Sequence, residues 1–509
     1  MSTKTNGTGL TREILIVGAV VVLGSIMSIL DATIVNVAIP TLGRDFHTSI
    51  STIQWVVTGY LLAFASVIPL TGWAAHRFGA KRVWITSLVL FMAGSALAGS
   101  AWSIDSLIAF RVLQGLGGGL IMPIGQTIIA QAAGPQRMGR VMSIVGVPML
   151  LGPILGPVAG GAIVDEVSWR WIFFVNLPVG VAAVELARRL LPDAKPHAGV
   201  RLDLRGLALL SPGVAIFVYG MSEAGTRGGF GNATTVIAGT LGVALVSLFV
   251  VHAQRRGHEA LLDVSLFVRR GFATAAGATL LLGIALFGAL ILLPLYYQLV
   301  RGESPLATGL LLVPQGLGAA VAMPLAGWLT DRVGARVVIP IGIAIALAAT
   351  GVYTQVGAQT PYVLLAGALF VIGVGLGSTV MPAMAVAYQS VSRELVAQAT
   401  SALNVIQRLA ASIGTALLAV VLQRQIATRL PELDGGIRAI DRLSQQQRSE
   451  AADALAGAFG TTFWVALALL ATALVPAVLL PRLRPARDGD TREAQRSSEQ
   501  GERGWSLAE

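Results

Sequence analysis

The chain has 509 residues, of which 54% are hydrophobic and only 12% charged. That is too few charges to coat a soluble protein of this size, so a lipid bilayer has to take the place of much of its water. The net charge of +10 sits at loop ends beside apolar runs, where topology and anionic headgroups account for it and no nucleic-acid partner is expected. Cysteine is absent, which removes disulfide and thiol chemistry and leaves the redox compartment unread.

About fourteen apolar runs follow one another, each roughly 19–28 residues long, and about 20 helical residues cross a bilayer core. They fall at 14–38, 53–71, 82–101, 105–129, 139–163, 172–191, 204–222 and 234–253, then at 272–299, 306–329, 336–355, 361–389, 396–422 and 458–480. The first carries Asp31 and lacks a small-residue cleavage site, so it reads as a retained span. Cations concentrate in every second gap: Lys4 and Arg12; Arg77, Lys81 and Arg82; Arg137 and Arg140; Arg188 to Arg205; Arg255 to Arg270; Arg332 and Arg336; Arg393; and the arginines after Pro481. The gaps between hold mostly one cation or none, which places both termini in the cytoplasm. Arginine outnumbers lysine 33 to 3, a composition that points to a GC-rich bacterial genome and so to a bacterial cytoplasmic membrane.

The expected organisation is all-α. Residues 1–13 form a cytoplasmic N-terminus, 14–191 a first six-helix bundle, and 192–271 a linker with two inserted helices. A second six-helix bundle covers 272–480, and 481–509 is a polar cytoplasmic tail. Within the second bundle, segment 423–457 is expected outside the membrane, with Leu/Ile/Ala spacing that suggests a short amphipathic surface helix. An internal repeat supports the duplication. Gly72-Trp-Ala-Ala-His-Arg-Phe-Gly-Ala-Lys-Arg82 follows the second span and Gly327-Trp-Leu-Thr-Asp-Arg-Val-Gly-Ala-Arg336 the tenth. Two bundles rocking about a central site is how many carriers alternate access.

Asp31 is the one acid placed deep in a span, about 10 Å below the outer boundary at 1.5 Å per residue, and Arg111 of the fourth span lies at similar depth. Charges buried in lipid need partners. The pair reads either as a static lock between the two spans or as a proton site whose carboxylate responds to Arg111. In the fifth span Gly152, Gly156 and Gly160 share a face, with Pro148, Pro153 and Pro157 interleaved; this suits close packing and a bent helix. Arg408, beside Gln407 and near Asn404, is a second intramembrane cation with no acid nearby in sequence. Its partner is a carbonyl, water or cargo. Tyr60, Gln114, Gln126, Asn176, Tyr296, Tyr297, Gln298 and Gln315 join it as candidates to line a cavity, since aromatics and amides suit large amphipathic ligands. With Asp31 the only deep acid, neutral or monocationic cargo is expected. The chain carries no HExxH motif, no P-loop and no membrane-level cluster of His or acids. An enzyme, a metal site and an ATP-driven pump are therefore not expected. Nor does it carry a filter-like loop of the kind a channel needs.

These residues resemble a known family. Leu30-Asp-Ala-Thr-Ile-Val-Asn-Val-Ala-Ile-Pro40 is similar to the first-span signature of the fourteen-span drug:proton antiporter branch of the major facilitator superfamily, the EmrB/QacA type. The two glycine-led turns resemble that superfamily's cytoplasmic-loop motif. Arg111-Val-Leu-Gln-Gly115 resembles its fourth-span arginine motif, Gly152 to Gly161 its antiporter motif, and Trp169 to Gly180 a further hallmark of the branch. The resemblance implies a major facilitator fold of two six-helix bundles plus two extra central helices. It implies a monomer that exports lipophilic small molecules in exchange for protons, with no cofactor beyond the proton gradient. A dedicated exporter of an endogenous metabolite or lipid is the alternative. It further assigns proton coupling to Asp31 and Arg111. A conformational latch and hinge is assigned to Gly72, His76, Arg77, Gly79, Arg82, Asp331 and Arg332, and to Gly152, Pro153, Gly156, Pro157 and Gly160. His76 departs from the pattern: it stands where an aspartate is usual, while the second copy keeps Asp331. Histidine cannot accept an arginine's hydrogen bonds as a carboxylate does, so this latch is weakened or rebuilt.

Overall fold

The computed structural model describes residues 11–134, 138, 141, 146, 156, 159–164, 166–193, 199–431 and 445–481, and all regular structure among them is helical. Among the described residues, thirteen helices are long and apolar enough to cross a membrane. They are α1 (Arg12–Asp45), α2 (Trp55–Phe78), α3 (Ala80–Gly99), α4 (Ile104–Ala133), α5 (Trp171–Leu190), α6 (Leu204–Arg227) and α7 (Ala233–Glu259). The second set is α8 (Arg270–Val300), α9 (Pro305–Thr330), α10 (Ala335–Tyr353), α11 (Tyr362–Gln389), α12 (Val396–Arg429) and α13 (Glu450–Val478). The first four match the first four expected spans, and α5 to α13 match the sixth to fourteenth. Most of the expected fifth span, with Gly152, Pro153 and Pro157, lies outside the described residues. Gly156 and Gly160 are described: a Cβ on either would strike α1, at Thr33 and at Ile34. The glycine face of that segment is therefore packed on the helix that carries Asp31.

Close helix approach follows from small residues, because in lipid there is little hydrophobic gain in bringing helices together and packing has to supply the attraction. Glycines of α4 show how. A Cβ at Gly115 would collide with the Tyr60 carbonyl of α2, and one at Gly119 with the Phe64 carbonyl one turn on. Between them, a Cβ at Gly117 would lie 2.5 Å from the Phe91 nitrogen of α3. The same device recurs in α11. Gly373 and Gly377 press on Gln315 and Ala319 of α9, while Gly375 faces Gly342 and Ala346 of α10. So Gly-x-Gly-x-Gly occurs once per half, with its outer glycines on the second helix and its middle glycine on the third. This repeat is the structural counterpart of the two glycine-led turns. Those turns also match each other: Gly79 and Gly334 each end one helix and begin the next at φ 85° and 88°, a backbone region glycine enters without penalty.

Helix α6 packs against α2 and α12, and so touches both halves, whereas α7 packs chiefly on α6 and exposes Ile237, Val243 and Leu248. Asp203 fixes the start of this pair. Its buried carboxylate accepts the Gly206 N–H at 3.0 Å and the Leu261 N–H at 3.2 Å, and meets His252 Nε2 at 3.0 Å and Arg256 at 3.6 Å. Burial opposes ionisation, but the bonds from Gly206, His252 and Leu261 outweigh it and hold the carboxyl below its ordinary value. A lowered carboxylate stabilises at every pH above its unfolded value of about 4, and that contribution is lost as the pH falls through the lowered one. Asp203→Ala is expected to remove about 1 kcal/mol or more through the lost helix cap alone. Its melting temperature in detergent should fall below wild type at pH 7, with the gap closing under acid. An unchanged melting temperature at pH 7 would show that Asp203 anchors nothing.

Segment 423–457 is described in part. Residues 423–429 continue α12 without a break, and 445–457 belong to the last long helix, Gln445–Thr472. These described parts of segment 423–457 are ends of two long helices, and most of the stretch whose spacing suggests a surface helix falls elsewhere. Residues 432–444 lie outside the described residues.

Candidate functional site: a buried acid and an inter-helix seam

Asp31 and Arg111 meet. Arg111 Nη1 donates to Asp31 Oδ2 at 2.6 Å, with both side chains almost wholly enclosed. The other carboxylate oxygen accepts Gln114 Nε2 at 2.8 Å and Asn176 Nδ2 at 3.1 Å. Arg111 also donates to Gln114 Oε1 at 2.7 Å and, through Nε, to the Val56 carbonyl at 3.2 Å. Its guanidinium lies 4.1 Å from the Tyr60 ring centroid and 5.7 Å from that of Phe173. Asn176 is held in turn by Ser95, whose hydroxyl donates to the Phe173 carbonyl. Donors from α4 and α5 thus converge on one carboxylate of α1. Removing one partner of a buried ion pair leaves an uncompensated charge and typically costs about 3–5 kcal/mol, and here both carboxylate oxygens are engaged.

Gln114 and Asn176, read from sequence as cavity liners, therefore hold the acid. Gln114 was findable: it follows Arg111 by three residues on one helix face, a spacing at which side chains meet. Asn176 carried no such local signal, because the tertiary packing of α5 alone brings it to Asp31.

A second arrangement joins the two halves. At the end carrying the glycine-led turns, α2 and α12 run side by side in opposite directions. A Cβ on Gly72 would lie 3.2 Å from the Gln398 Cα and 3.3 Å from the Ala397 carbonyl. One turn inward, Ser401 Oγ donates to the Ile68 carbonyl at 3.1 Å. Next, Asn404 Nδ2 donates to Gln126 Oε1 of α4 at 2.8 Å, and deeper still the Arg408 guanidinium lies 4.0 Å from the Phe64 ring centroid. These rungs close the seam at that end. Sequence reading found Gly72, Gln126 and Arg408, but not Gln398 against Gly72, Phe64 against Arg408 or the Ser401 rung.

The remaining candidates disperse. His76 and Arg77 occupy the last turn of α2, with Arg77 6.0 Å from the Phe78 centroid, while Arg82 is exposed. Lys81 of the same turn pairs with Asp193 at 3.2 Å. Arg332 covers Trp328 at 4.0 Å, and the Asp331 side chain lies outside the described residues. In the second half the Tyr296 hydroxyl donates to the Gly357 carbonyl at 2.9 Å, and the Tyr297 and Tyr353 hydroxyls share a bond at 3.3 Å. Gln298 is half-buried beside them. Gln315 lines a cavity inside the second half, together with Leu286, Thr350, Ile372 and Phe463. Among the described residues no His, Cys, Asp and Glu side chains cluster as metal ligands.

Two repeated helical halves, a buried ion pair and a seam closed at one end define the class of membrane carriers. The chain matches the family model described as Major Facilitator Superfamily over residues 21–415, and it belongs to that superfamily. It is 40% identical over 481 residues to a protein named multidrug resistance protein B homolog from Mycobacterium tuberculosis, covering 91% of this chain and 89% of that one. With the multidrug export protein EmrB of Haemophilus influenzae it shares 30% over 426 residues, 83% of each chain. These relatives agree with the drug:proton antiporter branch that the motifs resemble. In fold it is similar to the proton:xylose symporter XylE, with a TM-score of 0.58 at 14% identity over 91% of this chain and 94% of that one. A similar likeness holds to the human organic anion transporter MFSD10, with a TM-score of 0.57 at 16% identity over 91% and 100%. The protein is a multi-pass membrane transporter, not an enzyme.

Proposed function

We propose that this transporter exports lipophilic small molecules from the bacterial cytoplasm in exchange for protons, as a monomer, by alternating access across the cytoplasmic membrane. Both termini and the glycine-led turns face the cytoplasm in this reading. The observation that carries it is the Asp31 network, one deep carboxylate with donors from two other helices. Protonation of Asp31 cancels its charge and weakens its hold on Arg111, Gln114 and Asn176, which frees α1 to move against α4 and α5. The proton gradient then supplies the energy and no cofactor takes part. In this reading the closed seam lies on the cytoplasmic side, as expected of a stage at which cargo faces outward.

The test uses purified protein in liposomes with an imposed pH gradient and an internal pH dye. Neutral, cationic and anionic lipophiles are added in turn. Cargo-triggered proton movement against a protein-free control is the expected result. Silence toward the whole panel, from folded protein, would overturn proton-coupled export.

A further inference from the structure

The two deep arginines live in opposite circumstances. Arg111 spends its donors on a carboxylate, an amide and a carbonyl. Arg408 makes no hydrogen bond or ion pair among the described residues; its recorded neighbour is the face of Phe64, 4.0 Å away. No acid is free to serve it. Asp31 is the one acid placed deep in a span, and both its oxygens are already engaged by Arg111, Gln114 and Asn176. Close by is a second unused donor. The Tyr60 hydroxyl is buried and lacks a hydrogen-bond partner among the described residues, and its ring lies 5.9 Å from that of Phe64. Both groups stand at the inner limit of the seam, one rung beyond Asn404 and Gln126. The preceding residue, Gln407, contacts Met384, a thioether that adapts to varied apolar shapes.

We propose that Arg408, with the Tyr60 hydroxyl, is the binding site for the anionic group of a lipophilic acid, such as a carboxylate on an aromatic body. A guanidinium offers a planar fork that matches a carboxylate with two parallel bonds, and it stays charged at membrane depth. Phe64 presents an apolar face to the cargo's body, and the phenol supplies a third donor. An unpaired cation here repels cationic cargo, while the one acid that could attract it is already occupied. The sequence expectation of neutral or monocationic cargo is thus replaced by anionic cargo. This inference rests on the export reading for its role in transport, but its own test is a binding measurement.

Affinity of the full-length protein in detergent is measured for biphenyl-4-carboxylate and for its methyl ester, which has the same body without the charge. Wild type is expected to bind the acid about ten-fold or more tighter than the ester. Arg408→Gln should erase that preference by weakening acid binding alone, and Arg408→Lys should restore part of it. Tyr60→Phe, which keeps the ring over Arg111, should weaken the acid a few-fold and leave the ester unchanged. Equal binding of acid and ester by wild type would overturn the proposal, as would an acid preference that survives in folded Arg408→Gln. If Arg408→Gln does not fold, the Tyr60→Phe comparison decides. Carboxylate preference without proton movement in liposomes would sink the export reading and keep this site. Proton movement driven only by neutral or cationic compounds would do the reverse.

Discussion

An Asp31→Asn variant is expected to lose cargo-driven proton flux completely while remaining folded. The amide has the shape of the carboxylate but cannot take up and release a proton near neutral pH. Its oxygen can still accept from Gln114 and Asn176. Arg111 keeps the Val56 carbonyl, Gln114 Oε1 and the Tyr60 face, so the uncompensated charge is partly met and the variant still folds, with a lowered melting temperature. The discriminating measurement pairs two assays on one preparation. Proton flux reported by an internal dye should vanish, while downhill exchange of labelled cargo, which needs no net proton transfer, continues. A static lock between α1 and its neighbours predicts something else: lower thermal stability with an unaltered proton response. That second pattern would assign the pair to structure alone.

Gly72→Leu is expected to jam the transporter. A single added carbon at Gly72 would already sit 3.2 Å from the Gln398 backbone and 3.3 Å from the Ala397 carbonyl, closer than most such contacts. Leucine adds three more carbons where α2 and α12 must meet, so the seam cannot close and the molecule stays open at the turn-bearing end. Turnover should fall by about ten-fold or more, since both conformations are needed in every cycle. The natural chain has no cysteine, so a thiol introduced as Ser401→Cys is the only one to react. Ser401 is buried in the seam. In a Gly72→Leu background the thiol should be modified much faster by a membrane-impermeant maleimide than in the parent. Gly72→Ala needs a shift of only a few tenths of an ångström and should retain much of the activity. Normal turnover in the leucine variant would remove the seam from the transport cycle.

Much of this protein is readable from its chain alone. Apolar length against bilayer thickness determines how many helices cross, and thirteen of the fourteen expected spans lie where hydropathy places them. The need to pair charge in lipid predicts that Asp31 finds a cation, and Arg111 is the one expected at a similar depth. The glycine-led turns reveal the duplication for a local reason: Gly79 and Gly334 occupy a backbone region that other residues avoid.

Only the tertiary structure decided the rest, because it depends on which helices become neighbours. Asn176 reaches Asp31 across 145 residues, and nothing in its own surroundings marks it as the acid's partner rather than a cavity liner. Gln126 meets Asn404 across 278 residues, which turns an isolated polar residue into a rung between halves. Asp203 sits at the head of α6 among many loop charges, and only packing gathers His252, Arg256 and the Leu261 amide around it. Arg408 is conspicuous in the sequence as a buried cation. That its guanidinium rests on Phe64 of the other half, without an acceptor among the described residues, is a property of two surfaces meeting. Hydropathy and charge pairing act along one helix or between a few obvious partners, so sequence carries them; contacts between bundles arise from the docking of whole faces, which no local pattern specifies.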